Sequence, residues 1–218
     1  MRRIEGVSER VLECAKEEFF AKGFQQTSIR EIAKKADTSP RSIYTRFPNK
    51  EGLFDAIVTP YVDALVQMYV AYQTDFWANR RDMTDEIDLS TRHGLIYVDM
   101  MDYIYDHREA FLLIMNSLDG SRLVMLVERL ATTDLSFLHQ HVSTKLQPVS
   151  EAMTAHKMMR ILSNSFYSAL FEPLRYDMTR REARYYIERL CLFFVAGIQS
   201  LRQEESPPDS PRGLVSRV

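Results

Sequence analysis

Glycine and proline are scarce in this chain, at 7 and 8 of 218 residues. That excludes collagen-like and low-complexity architectures and leaves room for long helices. Cysteine is nearly absent. Cys14 and Cys191 alone cannot staple a small scaffold, and without placed histidines they cannot form a structural zinc site. Two reduced, packed thiols in a cytoplasmic protein are the expectation. No apolar run approaches the roughly 20 residues that span a bilayer, so no membrane partner is expected. The first twenty residues hold Arg2 and Arg3 but no continuous apolar core, so no secretory signal is expected either. Few segments alternate with the period of a strand. Phosphate-binding loops, nucleophile motifs and zinc signatures are missing too. No catalytic residue, cofactor or metal is therefore expected, and the chain does not read as an enzyme. His139 and His141 lie two apart and point in different directions on a helix, while His93, His107 and His156 stand isolated in sequence.

What is present is apolar periodicity. Hydrophobic residues make up 45% of the chain, enough to bury a real core. They recur at helical spacing, so the fold class expected is all-α. Net charge is only -2, but it is unevenly spread. Residues 1–50 carry eleven Lys and Arg against seven Asp and Glu, a surplus of +4, which leaves -6 for the rest. A basic head on an acidic body suits a chain of which one end meets phosphates.

The head resolves into three short helices. The first is predicted over 8–22, with Val11, Leu12, Ala15, Phe19 and Phe20 inward and Gly23 closing it. "SIRE" at 28–31 has the form of a capping box, Ser28 capping and Glu31 reaching back. Ile29, Ile32, Ala33 and Ala36 then face inward. After the turn "ADTS", Ser39 caps a third helix with Pro40 at its first position, where a missing N–H costs nothing. Ile43 and Phe47 share a face and must pack backwards. Pro40, Arg41, Ser42, Thr45 and Arg46 fall on the front. A recognition helix needs this division: an apolar back that fixes it and a polar front that enters the major groove.

Residues 8–54 resemble the DNA-binding domain of the tetracycline-repressor (TetR) family. The resemblance is carried by "AKEEFFAKGFQQTSIREIAKKADTSPRSIYTRFPNKEGLF", with Phe19, Gly23, Phe24, Ser28, Ile32, Ala33, Ser39, Ile43, Tyr44, Phe47 and Lys50 at specific spacings. It implies a helix-turn-helix domain over 1–53 and a helical ligand-binding and dimerisation domain over 54–203; the tail over 204–218, rich in Pro and Ser, should be disordered. It implies that Ser28, Tyr44 and Lys50 contact phosphates and that Pro40, Arg41, Ser42 and Thr45 touch bases. Arg30, Ser39 and Arg46 complete the expected double-stranded DNA surface. Position 41 is often small in the family and position 46 often His or Tyr, whereas both are Arg here. Arg41 can grip guanine O6 and N7 or bind a phosphate; both readings stand at this point.

The rest of the chain should form six more helices. One runs over 49–77 with a stripe of Tyr61, Leu65, Tyr69, Tyr72 and Phe76, interrupted by Pro60, which is either a joint or a harmless bend or break. Others are expected over 89–105, from the capping-box-like "DHRE" to 114, over 119–146, over 148–171 and, after "TRRE", over 179–202. The last two are heavily apolar, which points either to surface that one monomer does not cover or to simple burial inside the monomer. By resemblance they pair with their copies in a homodimer, through 150–172 and 179–202. Asp99, Asp102 and Asp106 share one helix face with Ile96, Met100 and Tyr103. With Tyr69, Tyr72 and Trp77 they sketch an aromatic, acidic pocket for a cationic small-molecule effector, against the plainer reading of an acidic solvated face. The function implied is a ligand-released repressor. The contrasting function is a metabolite-binding protein or enzyme whose helix-turn-helix is only structural.

Overall fold

The computed structural model describes residues 2–79, 86–117, 120–141 and 149–203. All regular structure among them is helical. The head comprises α1 (Arg2–Gln26), α2 (Ile29–Lys35) and α3 (Pro40–Tyr44), followed by α4 (Lys50–Asn79). The body continues with α5 (Glu86–Asp106), α6 (Arg108–Met115), α7 (Ser121–His141), α8 (Val149–Ala169), α9 (Glu172–Arg175) and α10 (Arg180–Gln203).

Local chemistry explains most boundaries. Gly23 interrupts α1 at φ 72°, ψ 170°, a conformation that side chains with a Cβ resist. Thr27 closes that end, its Oγ1 lying 3.0 and 2.7 Å from the carbonyls of Glu18 and Gly23. Ser28 caps α2 by accepting the Arg30 N–H at 3.2 Å. Glu31 does not complete the expected box; its carboxylate takes the Lys22 ammonium at 3.0 Å instead. Ser39 accepts the Ser42 N–H at 3.1 Å, with Pro40 opening α3 as expected. Asn49 caps α4 through the Gly52 N–H at 2.7 Å.

The fourth helix stays continuous through the exposed Pro60 and does not break in two. By length and composition it could cross a membrane. Its run of buried residues from Leu53 to Phe76, packed against α1, α5, α6 and α7, makes it instead the central helix of the molecule. The "DHRE" start fails as a box: His107 precedes α6 with no side-chain cap, and Asp106 is spent on Arg180. "TRRE" succeeds, since Glu182 accepts from the Thr179 N–H and hydroxyl at 2.8 and 2.7 Å. α9 was not expected. Pro173 sits in its first turn, where a missing N–H costs nothing. The predicted start at Asp119, the segment 142–148 and the tail 204–218 lie outside the described residues.

α7 runs alongside α4 in the same direction. Asp55 bonds Arg122 at 2.6 Å, Asp63 bonds Arg129 at 2.6 Å, and Tyr69 bonds Asp134 at 2.7 Å. The first two pairs flank Pro60, so α7 splints the helix across its proline. α8 returns antiparallel along α7, and α10 lies along α5.

Candidate nucleic-acid interface and the polar core

The head is held from behind by aromatic rings. Phe19 stacks on Phe24 at 5.6 Å between centroids, and Phe54 meets them edge-on at 5.2 and 5.4 Å. Ile32 and Ile43 are buried against this cluster and Phe47 is half-buried. Such burial contributes roughly 1.5–3 kcal/mol per large side chain. One charge sits behind it. Glu18 is buried, with Lys22 at 2.7 Å and Lys35 at 2.5 Å. Hydrogen bonds from Lys22 and then Lys35 hold its carboxyl below the usual value, and both ammonium groups are raised in return.

The front of α3 is polar and accessible. Arg41, Tyr44 and Thr45 are exposed, and Pro40 and Ser42 are half-exposed. Tyr44 is 51% exposed, so it is not a core tyrosine. Arg46 folds back, donating to the Ser42 carbonyl at 3.0 Å and to its hydroxyl at 2.8 Å. The Thr45 hydroxyl donates to the Arg41 carbonyl at 2.8 Å, which leaves its lone pairs facing outward. Ser28 and Ser39 use their oxygens as cap acceptors, so their hydroxyl protons stay available for a phosphate. Arg30 is exposed beside them. Lys50 is less free than expected. Its ammonium donates to the Gln25 carbonyl at 3.1 Å and sits 4.6 Å from the Phe24 ring centre, and burial pulls its pKa down. To reach a phosphate it must leave that carbonyl. Arg122 of α7 covers the same rings, 4.7 Å from the centre of Phe54.

The body hides a polar core that the sequence reading missed. The carboxylate of Asp134 accepts from Tyr69 at 2.7 Å and Ser163 at 3.2 Å, and from Gln73 at 3.4 Å. Tyr167 donates to the Tyr69 hydroxyl at 2.5 Å, and Tyr97 lies 3.4 Å from Tyr167. Burial raises all three phenols, which stay neutral. The Gln73 Oε1 is buried without a hydrogen-bond partner among the described residues. Beside this core is a cavity of about 110 Å³ lined by Tyr97, Asp134, Ser163, Phe166, Cys191 and Phe194. Burial pushes the Cys191 thiol up to about 12, so it is an inert wall.

None of the nine residues sketched as an effector pocket lines that cavity. Tyr69 belongs to the polar core next to it. Ile96 and Met100 are packed inside the apolar core, and Tyr103 meets His107 edge-on at 4.5 Å. Tyr72 and Trp77 stack around Phe76. Asp99 is exposed, Asp102 faces Arg184 at 3.3 Å, and Asp106 pairs with Arg180. Two of the three acids are thus ion-paired to α10, and the Oδ1 of the half-buried Asp102 is buried without a hydrogen-bond partner among the described residues. The acid of the polar core, the half-buried Asp134, comes from α7, far along the chain where helical periodicity cannot link it to Tyr69. The one available signal was Asp134 itself, set between the core residues Ala131 and Leu135.

A short capped helix braced by two others, with a polar front, defines a helix-turn-helix protein. Residues 11–57 match the family model described as bacterial regulatory proteins, tetR family. Over this segment the chain is similar to the tetR family of regulators. It is 35% identical over 54 residues to the uncharacterized HTH-type transcriptional regulator YvkB of Bacillus subtilis, a match covering 25% of this chain and 29% of that one. The curated relatives it matches are spanned only over 29% to 56% of their own length. A TetR-family transcriptional regulator from Streptomyces coelicolor shares the fold with a TM-score of 0.57 at 18% identity, over 92% of this chain and 85% of that one. A TetR-like regulator from Rhodococcus sp. RHA1 gives 0.56 at 18%, over 88% and 96%.

Proposed function

We propose that the protein is a homodimeric transcription regulator of the cytoplasm. It binds a palindromic operator as a repressor and is released by a small molecule. The observation that carries this reading is the division of α3: Ile43 is 1% exposed while Arg41, Tyr44 and Thr45 face solvent. Arg41 reads a guanine in the major groove. Thr45, whose proton is committed, offers lone pairs or its methyl to a base edge. Ser28, Arg30, Ser39, Tyr44, Arg46 and Lys50 position the head on phosphates.

Dimerisation is supported by apolar surface that the monomer leaves uncovered. Ile161 of α8 is 65% exposed and Phe193 of α10 is 72% exposed, with Met158 and Leu192 beside them. A two-fold partner over this face sets two recognition helices about 34 Å apart, one helical turn of DNA. The cavity beside Asp134 holds the effector. Because α7 also grips Asp55 and covers Phe54, occupation of that cavity shifts the population of head positions through α4 and α7 together. Pro60 is the place where α4 bends when this splint moves.

The test is fluorescence anisotropy of the protein with DNA flanking its own gene, competed with scrambled DNA at fixed salt. Tight binding that resists the competitor is expected. Loss to any competitor alike leaves only phosphate attraction and overturns operator recognition there. Arg41→Ala is expected to lose about 1–3 kcal/mol of discrimination at one base position. A uniform loss across base-substituted sites would make Arg41 a phosphate contact.

A further inference from the structure

The antiparallel register of α7 and α8 joins two histidines that sequence spacing left apart. His139 and His156 are both exposed, and their rings are nearly parallel with centroids 4.9 Å apart. The Nε2 of His139 lies 3.1 Å from the Nδ1 of His156. Two imidazole nitrogens bound to one ion at about 2.0–2.1 Å sit about 2.9 Å apart at a right angle and about 3.4 Å apart at a tetrahedral one. The observed separation falls inside that range.

We propose that this pair is a transition-metal site, taking one borderline divalent ion of the Zn²⁺ or Cu²⁺ class and bridging α7 to α8. Neutral imidazole is the ligand type that suits such ions, and affinity in this series rises towards Cu²⁺. In the metal-free protein one nitrogen donates its proton to the other. On metal binding the donor ring shifts that proton to its other, solvent-facing nitrogen, so each neutral ring offers a lone pair to the ion. Among the described residues no third His, Cys, Asp or Glu joins the cluster, so water fills the remaining positions. Both rings reach solvent, which gives the ion its entry path. The site also lies five residues along α7 from Asp134, and His156 lies seven from Ser163 on α8. A bridge there pins the same helix pair that holds the polar core.

The experiment is calorimetric titration of the untagged full chain with Zn²⁺, and then with Cu²⁺, alongside His139→Ala and His156→Ala. One ion per chain is expected, bound more tightly by Cu²⁺. Each variant should weaken binding by about tenfold or more, equivalent to ~1.4 kcal/mol. Both positions are exposed, so the variants should keep the wild-type helical content, which circular dichroism checks. Zn²⁺ should also raise the melting temperature of the wild type more than that of either variant, because it ties two helices only in the folded state. Equal affinity in wild type and both variants would assign any bound metal to His93, His107, His141 or the chain terminus and overturn the proposal. Absence of binding by the wild type would leave a plain histidine–histidine hydrogen bond and overturn it as well.

Discussion

The head and the body of this molecule solve burial differently. Behind α3 the head buries phenylalanine rings and isoleucines, and its one buried acid, Glu18, is matched by two lysines. The body buries three tyrosines, a glutamine and a serine around Asp134, beside a cavity. The head core is apolar although a cavity of about 240 Å³ borders Phe19, Phe24 and Phe54, and stacked rings suit a part that must present one surface rigidly. A polar, incompletely filled core suits a part that accommodates something else. The two meet where Arg122 of the body lies over Phe54 of the head.

The sharpest way to break this contrast is to empty each core in turn. Phe19→Ala removes a fully buried ring from the head cluster and should cost about 3–5 kcal/mol, measured by urea denaturation, with loss of operator binding. Asp134→Ala strips the acceptor from Tyr69, Gln73 and Ser163 and should cost about 1–3 kcal/mol. Its effect should fall on the body, with operator affinity in the absence of effector nearly unchanged. Equal loss of DNA binding in both variants would show that the two cores are one cooperative unit.

Acid offers a finer separation. The Glu18 carboxyl is lowered by its lysine bonds, so its contribution is present above its ordinary value of 4.5 and is lost as pH falls through the folded value. Denaturation midpoints should therefore drop in acid, and Glu18→Gln should flatten that drop. Alkali does not separate the regions. Lys22 and Lys35 are raised, so their contribution fades as pH climbs past 10.5 towards their folded values. The body's tyrosines are raised too, so above 10.0 the unfolded chain ionises first and the folded body loses ground. A head-specific probe that moves in acid while a body probe does not would sharpen the comparison.

The same contrast explains what could be read in advance. In the head, the chemistry is local: Ser39 caps three residues on, Gly23 sits at positive φ, and Ile43 and Phe47 are four apart. In the body, partners lie far along the chain. Tyr69 meets Asp134 over 65 residues and Tyr167 over 98. Asp99, Asp102 and Asp106 were legible as a cluster, yet the arginines that α10 brings to two of them were not. Glu31 had the spacing of a capping box, yet Lys22 was a stronger partner than a backbone N–H.

The amino-acid sequence by itself determined every helix but the short α9, the caps of α3 and α10, and the polar front of the recognition helix. These depend on periodicity and on bonds within a few residues, which chain order dictates directly. Only the tertiary structure decided which acid is buried, where the cavity lies and which histidines touch. Those depend on the register between helices, and register is set by packing many weak contacts at once, which no single stretch of sequence encodes.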